Sequence, residues 1–294
     1  MYEAHLISEE GLNVYGATFY GLPLLFIGFN DHVAWTMTRN SPDLADIFME
    51  RVKIDGEISY LTPDGWRKAE VEEYKIKVKG GGEESFKVYY TVHGPVIHVD
   101  RETGVAYSAA LEGLECNSII QVYHMDKSKS AEELIESLKL REILLWNILS
   151  VDTSGNLYYI YNAAIHMKSE AYDPHEPRPG WEEDAQWGTL IPFEKLPSIR
   201  NPDSGYLQNN NVMSWLTTED SGLNPYDYPV YLVDRNRTLI DRGRRAVELL
   251  SNIWNATIED MIEVATDTLT PYGTSENPDS PHYADQAKFK SEKG

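Results

Sequence analysis

GLPLLFIGFNDHVAWTMT, residues 21–38, carries two hydrophobic patterns in succession. Leu24-Leu25-Phe26-Ile27-Gly28 is a short unbroken apolar run, as expected of a strand covered on both faces. His32-Val33-Ala34-Trp35-Thr36-Met37-Thr38 alternates, the pattern of a half-buried strand. Strand signals continue outward from there. Ile47 to Val52 predicts a third strand, followed by a hairpin turning at Thr62-Pro63-Asp64-Gly65. Glu70 to Val78 and Ser85 to Val92 alternate across Gly80-Gly81-Gly82, and Val105 to Ala110 closes the series. Asn147 to Val151 and Leu157 to Tyr161 flank Asp152-Thr153-Ser154-Gly155-Asn156, a further hairpin signal.

Helical period is confined to three places. Ser130 to Glu142 puts Ala131, Leu134, Ile135, Leu138 and Leu140 on one face, with Ser130 as the cap. Arg242 to Ile253 and Thr257 to Ala265 are the others, the second capped by Thr257. Ser169 to Trp187 is Pro-rich, acidic and aperiodic, which predicts a long surface loop of the kind that tends to be functional. From Pro271 onward the chain is polar and without period, a tail or surface strap.

The charge excludes several function classes. Forty-seven acidic residues against 26 basic ones give a formal charge of −21, which repels phosphate backbones and anionic lipid. Nucleic-acid and membrane-surface partners are therefore not expected. The single cysteine, Cys116, rules out an internal disulfide and a thiolate metal cluster. The apolar run Leu22 to Ile27 is far too short to span a bilayer, and MYEAHLISEEG has no secretory pattern.

Three features carry candidate chemistry. In PDSGYLQNNNVMSW (202–215), three asparagines follow a Gly-Tyr-Leu-Gln strand signal. Such an amide run is either a turn or a set of aimed hydrogen-bond donors. Asp43 and Asp46 bracket Leu44-Ala45, so their carboxylates either hold a hard cation such as Ca²⁺ or face solvent from a loop. Arg235, Arg237, Arg242, Arg244 and Arg245 cluster in an otherwise acidic chain, pairing with acids or facing an anionic substrate group. His124 reads as structural, and no GxSxG, GxGxxG, P-loop, HExxH or EF-hand pattern occurs.

Six segments in order resemble the β subunit of the penicillin acylase (penicillin amidase) family, within the N-terminal nucleophile hydrolases. They are residues 21–38, DLADIFMERV (43–52), TVHGPVI (91–97), WNILSVDTSGNLYYI (146–160), WGTLIPFEKLP (187–197) and NPDSGYLQNNN (201–211). The resemblance implies an α+β chain with the four-layer αββα sandwich, and cleavage of acyl amides: penicillins, acyl-peptides or N-acyl homoserine lactones. The family's nucleophile is an N-terminal Ser whose own amine is the base, and the oxyanion is held by one backbone N–H and one Asn amide. On this chain the backbone donor matches Arg39, the amide Asn211 with Asn209 beside it, and the arginine near the nucleophile Arg242, with Arg244 as its alternative. A structural calcium site matches Asp43, the Ala45 carbonyl, Asp46 and the Pro174 carbonyl, with Asp234 as a further carboxylate. Pocket positions match Ile27 and Tyr123.

The same resemblance implies what the chain lacks. No Ser, Thr or Cys stands where the family's β chain begins, and Met1 has no hydroxyl or thiol to attack with. NPDSPHYADQ (277–286), like the family's extreme C-terminal motif, follows Thr268 almost directly. The expectation is a truncated β-subunit portion, residues 1–266, with a tail at 267–294. It would need a separate α subunit or nucleophile-bearing polypeptide for turnover, in a periplasmic or extracellular setting. The rival expectations are a non-catalytic remnant that binds acyl amides or a partner, and an acidic carbohydrate-binding sandwich. The last accounts for the 19 Tyr and 7 Trp but for none of the six segments.

Overall fold

The computed structural model describes residues 1–113, 117–236 and 238–269. Cys116, Arg237 and the tail read from Pro271 lie outside the described residues.

The chain opens with four antiparallel strands, β1 (Tyr2–Ile7), β2 (Asn13–Thr18), β3 (Ile27–Asn30) and β4 (Val33–Arg39). It then builds a second sheet from β5 (Ala45–Asp55), β6 (Glu57–Thr62), β7 (Gly65–Lys68), β8 (Glu70–Lys77), β9 (Glu83–Thr91), β10 (Gly94–Asp100) and β11 (Val105–Leu111). Two helices, α1 (Ser118–Asp126) and α2 (Ala131–Leu138), lead back to the first sheet. That sheet is completed by β12 (Trp146–Asp152), β13 (Leu157–Asn162) and, after the short β14 (Arg178–Pro179), β15 (Ser198–Arg200). Its spatial order is β1-β2-β3-β4-β12-β13-β15; the second runs β7-β6-β5-β11-β10-β9-β8, with β14 added parallel to β5. Helices α3 (Asp241–Leu250) and α4 (Ile258–Thr266) follow.

The main core explains why α1 and α2 sit where they do. Trp35, Met37, Ile148 and Ile160 from the sheet pack with Val122, Met125, Leu134 and Leu138 from the helices. Alternation on β4 puts Trp35 and Met37 inward, as its sequence pattern requires. Thr257 caps α4 in a reciprocal capping box with Asp260, and the Ser130 side chain accepts the Glu133 N–H at the start of α2.

Several elements differ from the sequence reading. Of Leu24–Gly28 only Ile27 and Gly28 enter a strand; Leu25 and Phe26 are buried in the loop before it. The helix read to Glu142 stops at Leu138, because Arg141 turns left-handed (φ 58°) and its guanidinium donates to the Ala163 and Ile191 carbonyls. β1, β2 and α1 had no clear signal: β1 is a polar edge strand, and α1 leaves Ile119 and Ile120 exposed while burying Val122 and Met125.

Asp126 at the end of α1 is buried. One carboxylate oxygen accepts the Leu25 N–H (3.0 Å), and the other has no partner among the described residues. Burial pushes this carboxyl up to about 7, against the smaller lowering effect of the Leu25 bond. The unfolded chain releases this proton near pH ~3.9 while the folded chain keeps it, so stability from this group falls as pH rises from there to about 7. Asp126→Asn keeps the acceptor for Leu25 and removes the charge. It is expected to raise the melting temperature by several degrees, for about 2 kcal/mol, near pH ~8 and to leave it unchanged near pH ~4. Melts at both pH values check this, and an equal shift at the two would count against it.

Candidate active site

The asparagine run sits against the end of β4. Gly205–Gln208 forms no strand, contrary to its sequence reading. The Gln208 N–H bonds the Thr217 carbonyl (2.9 Å) and its side-chain amide bonds the Leu216 carbonyl (2.7 Å), so the segment closes a local loop. Gly205 (φ 73°) and Asn211 (φ 62°) both adopt the left-handed region, which strand geometry excludes. Both initial readings of the amides therefore hold at once: the run is a turn, and its side chains are aimed.

Asn209 is the hub. Its Oδ1 accepts from Thr38 Oγ1 (2.5 Å), Asn147 Nδ2 (3.2 Å) and the Asn211 N–H (2.9 Å), while its Nδ2 donates to the Val212 carbonyl (3.1 Å). Asn147 is fixed in turn by the hydroxyl of Tyr159, which donates to Asn147 Oδ1 (2.7 Å) and lies 3.0 Å from Ser214 Oγ. Burial drives the Tyr159 phenol upward, so it stays a donor.

Asn211 Nδ2 donates to the Arg39 carbonyl (2.9 Å), and its Oδ1 accepts from the Arg242 guanidinium (3.0 Å). Arg242 also donates to the Asn210 carbonyl (3.2 Å). A guanidinium has only donors, so it fixes the Asn211 oxygen toward α3 and the NH₂ toward β4. One of the two amide hydrogens is used on Arg39; the other has no partner among the described residues. The Arg39 N–H is oriented by register. Trp146 stands opposite Arg39, and the next N–H, of Asn40, bonds the Leu145 carbonyl (3.0 Å). Residue 39 is thus at a non-hydrogen-bonded position, its N–H turned away from β12, and pairing with β3 has already ended at Trp35. The three residues predicted to be catalytic, Arg39, Asn211 and Arg242, are brought together.

The remaining arginines divide. Arg245 is paired with Asp267 (2.8 Å) and Glu248 (3.0 Å), and Arg235 Nε donates to the Tyr228 carbonyl (3.1 Å). Arg244 is exposed on α3.

The residues matched to calcium do not fit that ion. The Lys168 ammonium lies between the two carboxylates, 2.9 Å from Asp46 Oδ2 and 3.4 Å from Asp43 Oδ2, and donates to the Asp43 carbonyl (3.2 Å). Pro174 belongs to a self-contained turn in which the His175 and Glu176 N–H groups bond Asp173. Asp234 accepts the Asn236 N–H two residues on (3.1 Å), while Ala45, at a non-hydrogen-bonded position opposite Leu111, keeps its carbonyl turned away from β11. Among the described residues no group of three or more His, Cys, Asp or Glu is arranged to hold a metal. Ile27 and Tyr123 are each half-buried: Ile27 pairs with Ala17, and the Tyr123 hydroxyl accepts from Lys127 Nζ (3.2 Å). Neither lines the groove of about 850 Å³ whose walls include Thr36, Leu149, Tyr206, Trp254 and Met261.

Sequence reasoning missed Thr38, Asn147, Tyr159 and Lys168. Asn147 carried a usable signal, since a strand asparagine must find amide partners wherever it is buried. Lys168 had none, being more than a hundred residues from the acids it meets.

The fold is shared with the thermostable penicillin G acylase from Alcaligenes faecalis, an N-terminal nucleophile hydrolase sandwich. The match has a TM-score of 0.73 at 24% identity and covers 90% of this chain and 46% of that one. Penicillin G acylase of Escherichia coli is 34% identical over 68% of this chain and 24% of its own length. An acyl-homoserine lactone acylase of Pseudomonas fluorescens is 27% identical over 90% of this chain and 37% of its own. These likenesses define the class, chains similar to the acylases just named. The chain belongs to the penicillin amidase family, whose sequence model matches residues 1–272. It spans between 24% and 37% of the length of these two curated relatives.

Proposed function

We propose that this chain supplies the oxyanion-binding part of an acyl-amide hydrolase whose nucleophile lies outside these 294 residues. The observation that carries this is the Arg39–Asn211–Arg242 arrangement, with one amide N–H of Asn211 still uncommitted beside the outward-turned N–H of Arg39. When a nucleophile attacks the acyl carbonyl, the negative charge develops on its oxygen. Donors already held in place by Arg242, Asn209 and Asn147 stabilise that charge without reorganising. The substrates fitting this reading are acyl amides of the penicillin, acyl-peptide or N-acyl homoserine lactone kind. The test is hydrolysis of phenylacetyl and medium-chain acyl nitroanilides by this chain, alone and mixed with a polypeptide bearing an N-terminal serine. No turnover alone and turnover on mixing is expected. Turnover by the chain alone that is lost in Asn211→Ala would put the nucleophile inside residues 1–294.

One observation favours a second reading, a non-catalytic piece that binds a partner. Around the 850 Å³ groove, Trp254 is 89% exposed, and Ile258 on the adjoining α4 is 75% exposed. Sedimentation separates the two readings: self-association together with no turnover in any mixture supports the second.

A further inference from the structure

Lys168 is fully enclosed, with 1% of its side chain exposed, and so is the carboxylate of Asp46. An ammonium has three N–H donors and no acceptor. Three oxygens stand within reach of it: Asp46 Oδ2 at 2.9 Å, the Asp43 carbonyl at 3.2 Å and Asp43 Oδ2 at 3.4 Å. Donors and acceptors match one for one. Asp46 Oδ2 is further saturated by the Trp187 indole N–H (2.5 Å), and the Trp187 ring lies 4.9 Å from the ammonium. Calcium needs about six to eight oxygens at roughly 2.3–2.6 Å, a number this place does not offer.

We infer that Lys168 acts as a tethered cation in place of a divalent ion, so that the protein's stability does not depend on calcium. The ammonium sits between Asp43, in the link between β4 and β5 and four residues beyond Arg39, and Asp46 at the start of β5. It fastens to that link the segment after β13, which bears Lys168, and the Trp187 loop. The Asp43 N–H adds the segment at Tyr231 by bonding its carbonyl (2.9 Å). These four stretches meet around one buried charge, as they would around a bound metal. This inference does not rest on the amide-hydrolase reading; it concerns the folded chain alone.

Melting of the full chain in excess EDTA and in millimolar CaCl₂ tests it, together with Lys168→Met. The wild type is expected to melt within about 1 °C in the two media, since a ligand stabilises only what it binds. Lys168→Met leaves two acids without their cation and is expected to melt about 10 °C lower in EDTA. A wild-type midpoint that rises several degrees in calcium, with one ion bound per chain by titration calorimetry, would overturn the inference. So would a Lys168→Met protein as stable as the wild type in EDTA. If that variant does not fold, the wild-type comparison still decides.

Discussion

Asn211→Ala is expected to lower acyl-amide turnover about 10²–10³-fold in the enzyme assembled with its nucleophile, a loss of roughly 3 kcal/mol of transition-state stabilisation. The size follows from where the amide points. Arg242 holds Asn211 Oδ1 at 3.0 Å, leaving the NH₂ toward β4, and the Arg39 N–H is not spent on the β12 ladder. Removing the amide takes away one of two donors that meet the developing charge, and the backbone donor remains. Ground-state affinity depends less on that charge, so kcat is expected to fall with little change in KM. The folded state is expected to lose only about 1 kcal/mol, since alanine tolerates the left-handed backbone at this position (φ 62°) less well than asparagine. Asn211 is only half-buried, and its loop stays closed by Gln208 and Asn209. Steady-state kinetics with a melting curve on the same sample check this. A loss under tenfold in a sample that still melts cooperatively would remove Asn211 from the reaction and leave the proposed oxyanion site without its side-chain donor.

Much of this arrangement could be read before the structure, and the reasons are local. The β12–β13 hairpin was legible because two short strand runs flank a loop ending in Gly-Asn, and Asp152 organises that turn by accepting the Ser154 and Asn156 N–H groups. The α4 start was legible because Thr257 and Asp260 form a cap within three residues. The meeting of Arg39, Asn211 and Arg242 became legible only through resemblance, since no spacing rule joins residues so far apart in sequence. What stayed hidden was non-local charge. Asp43 and Asp46 look like ligands in sequence, and their counter-ion, Lys168, is visible only once the fold is built. Arg178 is similar: a charged residue in a loop read as surface, it is buried, with Nε donating to the Ala185 carbonyl (3.1 Å) and a terminal nitrogen to the Ser169 carbonyl (3.2 Å). Burial of Arg178 is what turns an aperiodic stretch into an ordered wall that pairs with β5.

That wall depends on a second buried acid, Glu50 of β5, and Glu50→Ala is expected to cost about 3–5 kcal/mol. Glu50 is fully buried, and its Oε1 receives Ser108 Oγ (2.6 Å), Thr91 Oγ1 (3.0 Å) and His93 Nδ1 (2.7 Å). His93 stacks flat on Phe48 at 3.8 Å, and its Nε2 lies 2.8 Å from Gln186 Oε1. Gln186 spends its own NH₂ on the Gly180 and Glu182 carbonyls, so one carboxylate fixes β9, β11 and the 178–187 loop together. Alanine at position 50 strands a hydroxyl from each of two strands and a ring nitrogen inside the protein, and each orphaned group carries its own desolvation cost. Ser108→Ala removes a single donor and is expected to cost only about 1 kcal/mol. Urea unfolding of the two variants beside the wild type measures the difference. If Glu50→Ala unfolds within about 1 kcal/mol of Ser108→Ala, the carboxylate is not what joins the loop to the sheet. Loop opening in Glu50→Ala should also free the Trp187 indole from Asp46, and a red-shifted tryptophan emission before global unfolding would report it.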